Sequence, residues 1–92
     1  MKQQVHVLYS GRVQGVGFRM AVEEAAQQFG VTGWGKNLRD GRVEVVAEAP
    51  EAGLKRFLEA VRTGAMKNFI NQAEASWGNA SEAFTRFEIR YY

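Results

Sequence analysis

Two glycines in three residues, Gly15-Val16-Gly17, lie inside the run Gly11–Arg19 (GRVQGVGFR). Glycine takes positive φ without a Cβ clash and lets another group approach the backbone closely. Successive N–H groups in such a turn converge into a concavity that attracts anions. If a helix starts just after the glycines, its unpaired N–H groups and positive dipole end add to the same pull. Arg19 would then stand in the first turn, where a planar guanidinium can grip two oxygens of a phosphate-like anion at once. The run is not a GxxxxGK[ST] loop. Nor is it a GxGxxG fingerprint, because Phe18-Arg19-Met20 follow the second glycine. The same spacing fits a tight strand-to-helix turn with a surface arginine, and spacing alone leaves both readings open.

A second candidate is Asn37, beside the turn Leu38-Arg39-Asp40-Gly41. A carboxamide accepts from one group and donates to another, so it can hold a water at a set angle. Asparagine is equally at home as an ordinary turn former. Arg12, Arg19, Lys36, Arg39 and Arg42 all fall in the glycine loop or around this turn, against Asp40 alone. That is a local balance of +4 on a chain of net charge +2. With both segments at one end of a sheet, these residues would form a basic rim suited to a small anion. The single histidine, His6, has no second ligand of similar type, and no paired carboxylates, Ser–His arrangement or metal spacing appears. No metal and no cofactor are expected.

The elements that must position these residues follow from periodicity. Residues 4–10 alternate, with Val5, Val7 and Tyr9 on one face, and read as a strand. Phe18, Val22, Ala25, Ala26 and Phe29 mark one face of a helix that Gly30 ends. Residues 31–37 read as a strand, Asp40-Gly41 as a hairpin signal and residues 42–48 as the returning strand. Pro50 suits the first position of a second helix with stripe Leu54, Phe57, Leu58 and Val61, closed by Thr63-Gly64. Ile70, Ala73, Ala75 and Trp77 suggest a weaker strand, and residues 84–91 a last one in which Phe87, Ile89 and Tyr91 alternate. The order β-α-β-β-α-β plus a C-terminal strand is the ferredoxin-like split βαβ pattern of the α+β class. It implies an antiparallel-rich sheet with two helices on one face.

Composition sets the outer limits. The chain has 92 residues, 46% apolar and 24% charged, with no cysteine. That suits one globular domain, residues 1–92, with a single core and no disulfide or thiolate metal site. The apolar runs fall far short of the roughly 20 residues a membrane span needs, and the N-terminus has no apolar run of a signal peptide. A cytoplasmic monomer with no membrane partner is expected. A charge of +2 is too weak to argue for nucleic acid. The face opposite the expected core offers His6, Leu8 and Ser10 on the first strand and Glu44, Val46 and Glu48 on the third, with no aromatic platform and with glutamates that would repel RNA.

With both motifs identified, GRVQGVGFR at residues 11–19 and GWGKNLRDGRVEV at residues 33–45, the chain resembles the acylphosphatase family. The resemblance extends to length, element order and the closing Phe-x-Ile-x-Tyr at residues 87–91. It implies a metal-free hydrolase acting on acid anhydrides, cleaving an acyl phosphate to a carboxylate and inorganic phosphate. It further implies that the backbone amides of Gln14, Gly15, Val16, Gly17 and Phe18, with Arg19, bind the phosphoryl group, and that Asn37 orients the attacking water. Inorganic phosphate or sulfate would compete with substrate. Similar domains inside hydrogenase-maturation proteins that handle carbamoyl phosphate are an alternative setting. Three features depart from the family pattern. Gly35 stands in place of a strand former and core side chain, Ala49-Pro50 and Gly64-Ala65 replace Gly-Pro steps, and Ala73 and Ala75 stand where larger residues are usual.

Overall fold

Strand β1 (Lys2–Gly11) buries Val5, Val7 and Tyr9 and leaves His6, Leu8 and Ser10 half-buried. The alternation in the sequence is that of a pleated strand with one face on the core. The structure is a computed structural model and describes residues 1–91. β1 is longer than residues 4–10 because it pairs on both sides, antiparallel to β3 (Val43–Pro50) and antiparallel to β4 (Ile70–Asn79). β2 (Thr32–Asn37) pairs antiparallel with β3, and β5 (Phe87–Arg90) runs parallel to β2. The sheet order is β4-β1-β3-β2-β5.

Helix α1 (Phe18–Gln28) packs on β2 and β5, α2 (Glu51–Thr63) packs on β3 and β1, and the helices touch each other. They therefore share one face of the sheet. Their stripes, Phe18, Val22, Ala25 and Ala26 on α1 and Leu54, Phe57 and Val61 on α2, join Val5, Val7, Val43, Val45 and Ala47 in one buried cluster. This is the ferredoxin-like α+β arrangement the element order implied. No helix among the described residues is long and apolar enough to cross a membrane.

Several boundaries differ from the sequence reading, each for a local reason. Asp40-Gly41 is not a two-residue hairpin. The turn closes one step further out, where Leu38 N–H donates to the Arg42 carbonyl at 2.8 Å, and the Asp40 carboxylate takes the Arg42 N–H at 3.1 Å and its Nε at 2.8 Å. Pro50 ends β3 with φ −56° and ψ 149°, so Glu51 is the first helical residue. The last strand is only Phe87–Arg90, because its partner β2 offers only Gly33–Lys36 for pairing.

The residues before β5 instead cross the helix-free face and fasten to Glu48. Its carboxylate accepts from Ser81 N–H (2.7 Å), Ser81 Oγ (2.8 Å), Glu82 N–H (2.9 Å) and Gln4 Nε2 (2.7 Å). Glu48 is thus a buried acceptor, not the surface charge the sequence suggested. Burial alone would push its pKa up. The donors from Ser81, Gln4 and Glu82 outweigh burial and hold it below the usual glutamate value. On this face Trp34 of β2 carries Arg90 and Lys36 against its ring, with centroid distances of 4.9 and 5.4 Å. His6 is paired with Glu44 at 2.7 Å.

Gly35 is buried, and a Cβ there would meet the Phe87 ring and Val45 Cγ2 at 3.7 Å, ordinary van der Waals distances. Gly35→Ala should therefore raise stability by about 0.5–1 kcal/mol, by filling that gap and reducing unfolded-chain entropy; urea unfolding reads this directly. Glu48→Gln should lower stability at neutral pH by about 1–3 kcal/mol, because it sets an amide donor against donors. A depressed native pKa means the unfolded chain takes up the proton first, so this stabilisation exists at neutral pH and fades as pH falls through the native value. The difference between wild type and Glu48→Gln should narrow accordingly in urea titrations run at descending pH.

Candidate active site

The glycine loop leaves the sheet at Gly11 and is fastened at its start by Arg12 N–H to the Phe69 carbonyl, 2.9 Å. Val13 is buried, Gly15 has φ +74° and Gly17 has φ +85°. Val16 between them packs against the core. Left-handed residues flanking an ordinary one turn consecutive N–H groups toward a common point. Gly17 also caps α1, with no side-chain cap and no acid in the first turn. The first helical bond runs from Ala21 N–H to the Gly17 carbonyl, 3.1 Å, and among the described residues no protein acceptor takes the amides of Gly15 through Met20. Phe18 fixes the helix start, its ring standing edge-on to buried Tyr9 at 5.0 Å. Burial pushes the Tyr9 hydroxyl's pKa well up, so it stays neutral.

Arg19 projects from the first helical turn. Its Nη1 donates to the Arg90 carbonyl at 3.2 Å, and its guanidinium lies 4.9 Å from the Tyr91 ring centroid. A cation at a helix N-terminus is unfavourable by about 0.3–1 kcal/mol, unless an anion sits between it and the amides. Asn37 closes β2, and its Oδ1 is buried with no hydrogen-bond partner. Buried polar atoms are seldom left so.

These groups meet. A cavity of about 200 Å³ is lined by Gly15, Gly17, Phe18 and Arg19 from the loop and helix start, by Asn37 from β2, and by Val13, Met20, Ile89 and Tyr91 as apolar wall. That is several times the roughly 30 Å³ one water occupies in the liquid. Other hollows include one of about 210 Å³ between the helices and one of about 640 Å³ between α1 and β5. Neither includes Arg19 or Asn37, and Glu24 lines the first while Glu23 and Glu88 line the second. Arg86 also lines the second, so what sets the smaller cavity apart is a cation with no carboxylate in its wall.

Of the expected set, Gln14 and Val16 do not line the cavity. Gln14 sends its side chain to the β2–β3 turn, donating to the Leu38 carbonyl (2.7 Å) and the Arg42 carbonyl (2.9 Å). The basic rim also contracts. Arg42 is paired with Asp40, Lys36 lies over Trp34 and 3.9 Å from Glu44, and Arg12 stacks on Phe69 at 5.6 Å. Arg19 is the cation that lines the cavity. Sequence reasoning missed Met20, Ile89, Tyr91 and the Arg90 carbonyl. The alternation of Phe87, Ile89 and Tyr91 placed the last three odd positions on one face, but nothing in it revealed that β5 would pair in parallel beside β2. No group of three or more His, Cys, Asp or Glu able to hold a metal occurs among the described residues.

A family model described as Acylphosphatase matches residues 5–89. An acylphosphatase of Bacillus velezensis is 43% identical over 88 residues, spanning 96% of this chain and 98% of its own length. A crystal structure of acylphosphatase from Bacillus subtilis superposes with a TM-score of 0.90 at 40% identity, covering 97% of this chain and 99% of that one. Full-length HypF, in a phosphate- and nucleotide-bound form, contains a region covering 98% of this chain but only 12% of its own. The TM-score there is 0.86 at 22% identity, a likeness of fold.

Proposed function

The chain belongs to the acylphosphatase family and hydrolyses acyl phosphates to a carboxylate and inorganic phosphate, and we propose that Arg19 and the amides of residues 14–18 hold the phosphoryl group while Asn37 delivers the water. The observation that carries this reading is the shared cavity, lined by the left-handed glycines, by Arg19 and by Asn37, whose buried Oδ1 has no hydrogen-bond partner.

In this reading the phosphoryl oxygens take the fixed N–H dipoles and the Arg19 fork. Both are aimed before substrate arrives, so little reorganisation is needed as charge develops. Asn37 Oδ1 accepts a hydrogen bond from water and turns its lone pair toward phosphorus. The water oxygen forms a bond to phosphorus while the bond from phosphorus to the acyl oxygen breaks. The carboxylate leaves with the electron pair, and the water's proton passes to a phosphoryl oxygen. A carboxylate is a good leaving group, so positioning and electrostatic stabilisation suffice. The cavity wall offers Arg, Asn, Tyr and apolar side chains, and no His, Asp, Glu, Cys or Lys that could serve as a general base. The reaction is read as independent of added metal, and inorganic phosphate and sulfate as competing anions that occupy the same amides.

Benzoyl phosphate hydrolysis, run with chelator and without added metal, tests this assignment. Arg19→Ala and Asn37→Ala should each lower kcat/KM about a hundredfold or more while circular dichroism stays that of the wild type. Inorganic phosphate should inhibit competitively, and its inhibition should weaken in Arg19→Ala but persist in Asn37→Ala. Wild-type turnover in both variants would refute the roles. The wild-type kcat should also stay flat across neutral pH; a sharp step assigned to a protein group would argue for a side-chain base instead.

A further inference from the structure

The glycine loop and Asn37 belong to different parts of the chain, and among the described residues no backbone hydrogen bond joins residues 12–17 to residues 37–42. The last ladder pair between the strands that lead to them is Tyr9 with Val43. Beyond it, one side chain spans the gap. Gln14 Nε2 donates to the Leu38 carbonyl at 2.7 Å and to the Arg42 carbonyl at 2.9 Å. Those carbonyls already hold the neck of the turn: Arg42's accepts Leu38 N–H at 2.8 Å, and Leu38's accepts Gly41 N–H at 3.2 Å. Both Gln14 amide hydrogens are therefore used, each on the second lone pair of a carbonyl. Leu38 directly follows Asn37, and Gln14 directly precedes Gly15.

We infer that Gln14 is a positioning residue whose carboxamide sets the distance and angle between Asn37 Oδ1 and the phosphoryl group held by the loop. The inference rests on the reading of Arg19 and Asn37 given above. A carboxamide is suited to the task because it carries two donors in one plane and no charge beside the anion. An acid in its place would repel both carbonyls. Losing the strut leaves the amides and Arg19 able to bind an anion, but lets the turn carrying Asn37 drift relative to it. A displacement of about 1 Å at a reacting group costs about a hundredfold in rate. The expected defect is thus in the chemical step and not in anion binding.

The test is a double-mutant cycle with benzoyl phosphate, using Gln14→Ala and the near-isosteric, donor-free Gln14→Met, which keeps the loop's packing should the alanine variant unfold. Each should lower kcat about ten- to a hundredfold, with KM and inhibition by inorganic phosphate within about twofold of wild type. In the Asn37→Ala background, Gln14→Met should cost no more than about twofold, because the residue through which it acts is gone. Multiplicative losses in the double variant, a wild-type kcat in Gln14→Met, or a loss carried by KM and phosphate inhibition would each overturn the inference. Retained activity in Arg19→Ala and Asn37→Ala would sink the underlying reading instead. Lost activity there with normal kcat in Gln14→Met would sink this inference alone.

Discussion

The amides of Gly15 through Met20 find no acceptor among the described residues, which leaves a consecutive row of donors to solvent or a ligand. The two left-handed glycines make the turn, and the uncapped start of α1 continues the row of donors. Arg19 adds a full positive charge where the helix dipole is already positive. The helix dipole gains nothing from that charge; an acid at the same place would stabilise the helix. In the role proposed for the loop, a phosphoryl group would supply both the compensating charge and several acceptor oxygens.

Everything around the loop limits its freedom. Phe18 locks into the core against Tyr9, Arg12 N–H ties the loop's start to Phe69, and Gln14 ties it to the β2–β3 turn. Arg19 is held from the far side by the Arg90 carbonyl and the Tyr91 ring. A long, flexible side chain loses about 1.5–2 kcal/mol of rotamer entropy when fixed. Part of that is already lost in the folded chain, which would preorganise Arg19 for the anion-binding role proposed for it. β2 is the common reference, since it ends in Asn37 itself and its parallel neighbour carries the Arg19 acceptor.

The opposite face of the sheet serves architecture. Glu48 gathers four donors and holds the segment that leads into β5, so the strand that steadies Arg19 is itself steadied from the helix-free side. Trp34 is occupied by Arg90 and Lys36, and His6 by Glu44.

Local pattern determined much of this protein from the sequence alone. Period-2 alternation at Val5, Val7 and Tyr9 and the helical stripes at Phe18–Ala26 and Leu54–Val61 located the strands, helices and core, because these depend on which residues face an apolar interior. The paired glycines and Arg19 marked a candidate anion loop while leaving a plain strand-to-helix turn open, since positive φ and a bidentate cation are properties of single residues. The sequence could not decide which polar groups would meet across the chain. Glu48 read as exposed because its four donors come from residues 4, 81 and 82. Arg12, Lys36 and Arg42 read as one rim with Arg19, and each found a different partner. Gln14 read as a backbone amide, while its side chain bridges two carbonyls more than twenty residues away. Hydrogen bonds and ion pairs are short-ranged and directional, so their partners are set by strand register and turn closure. Those are settled only when the tertiary structure brings β2, β3 and β5 side by side.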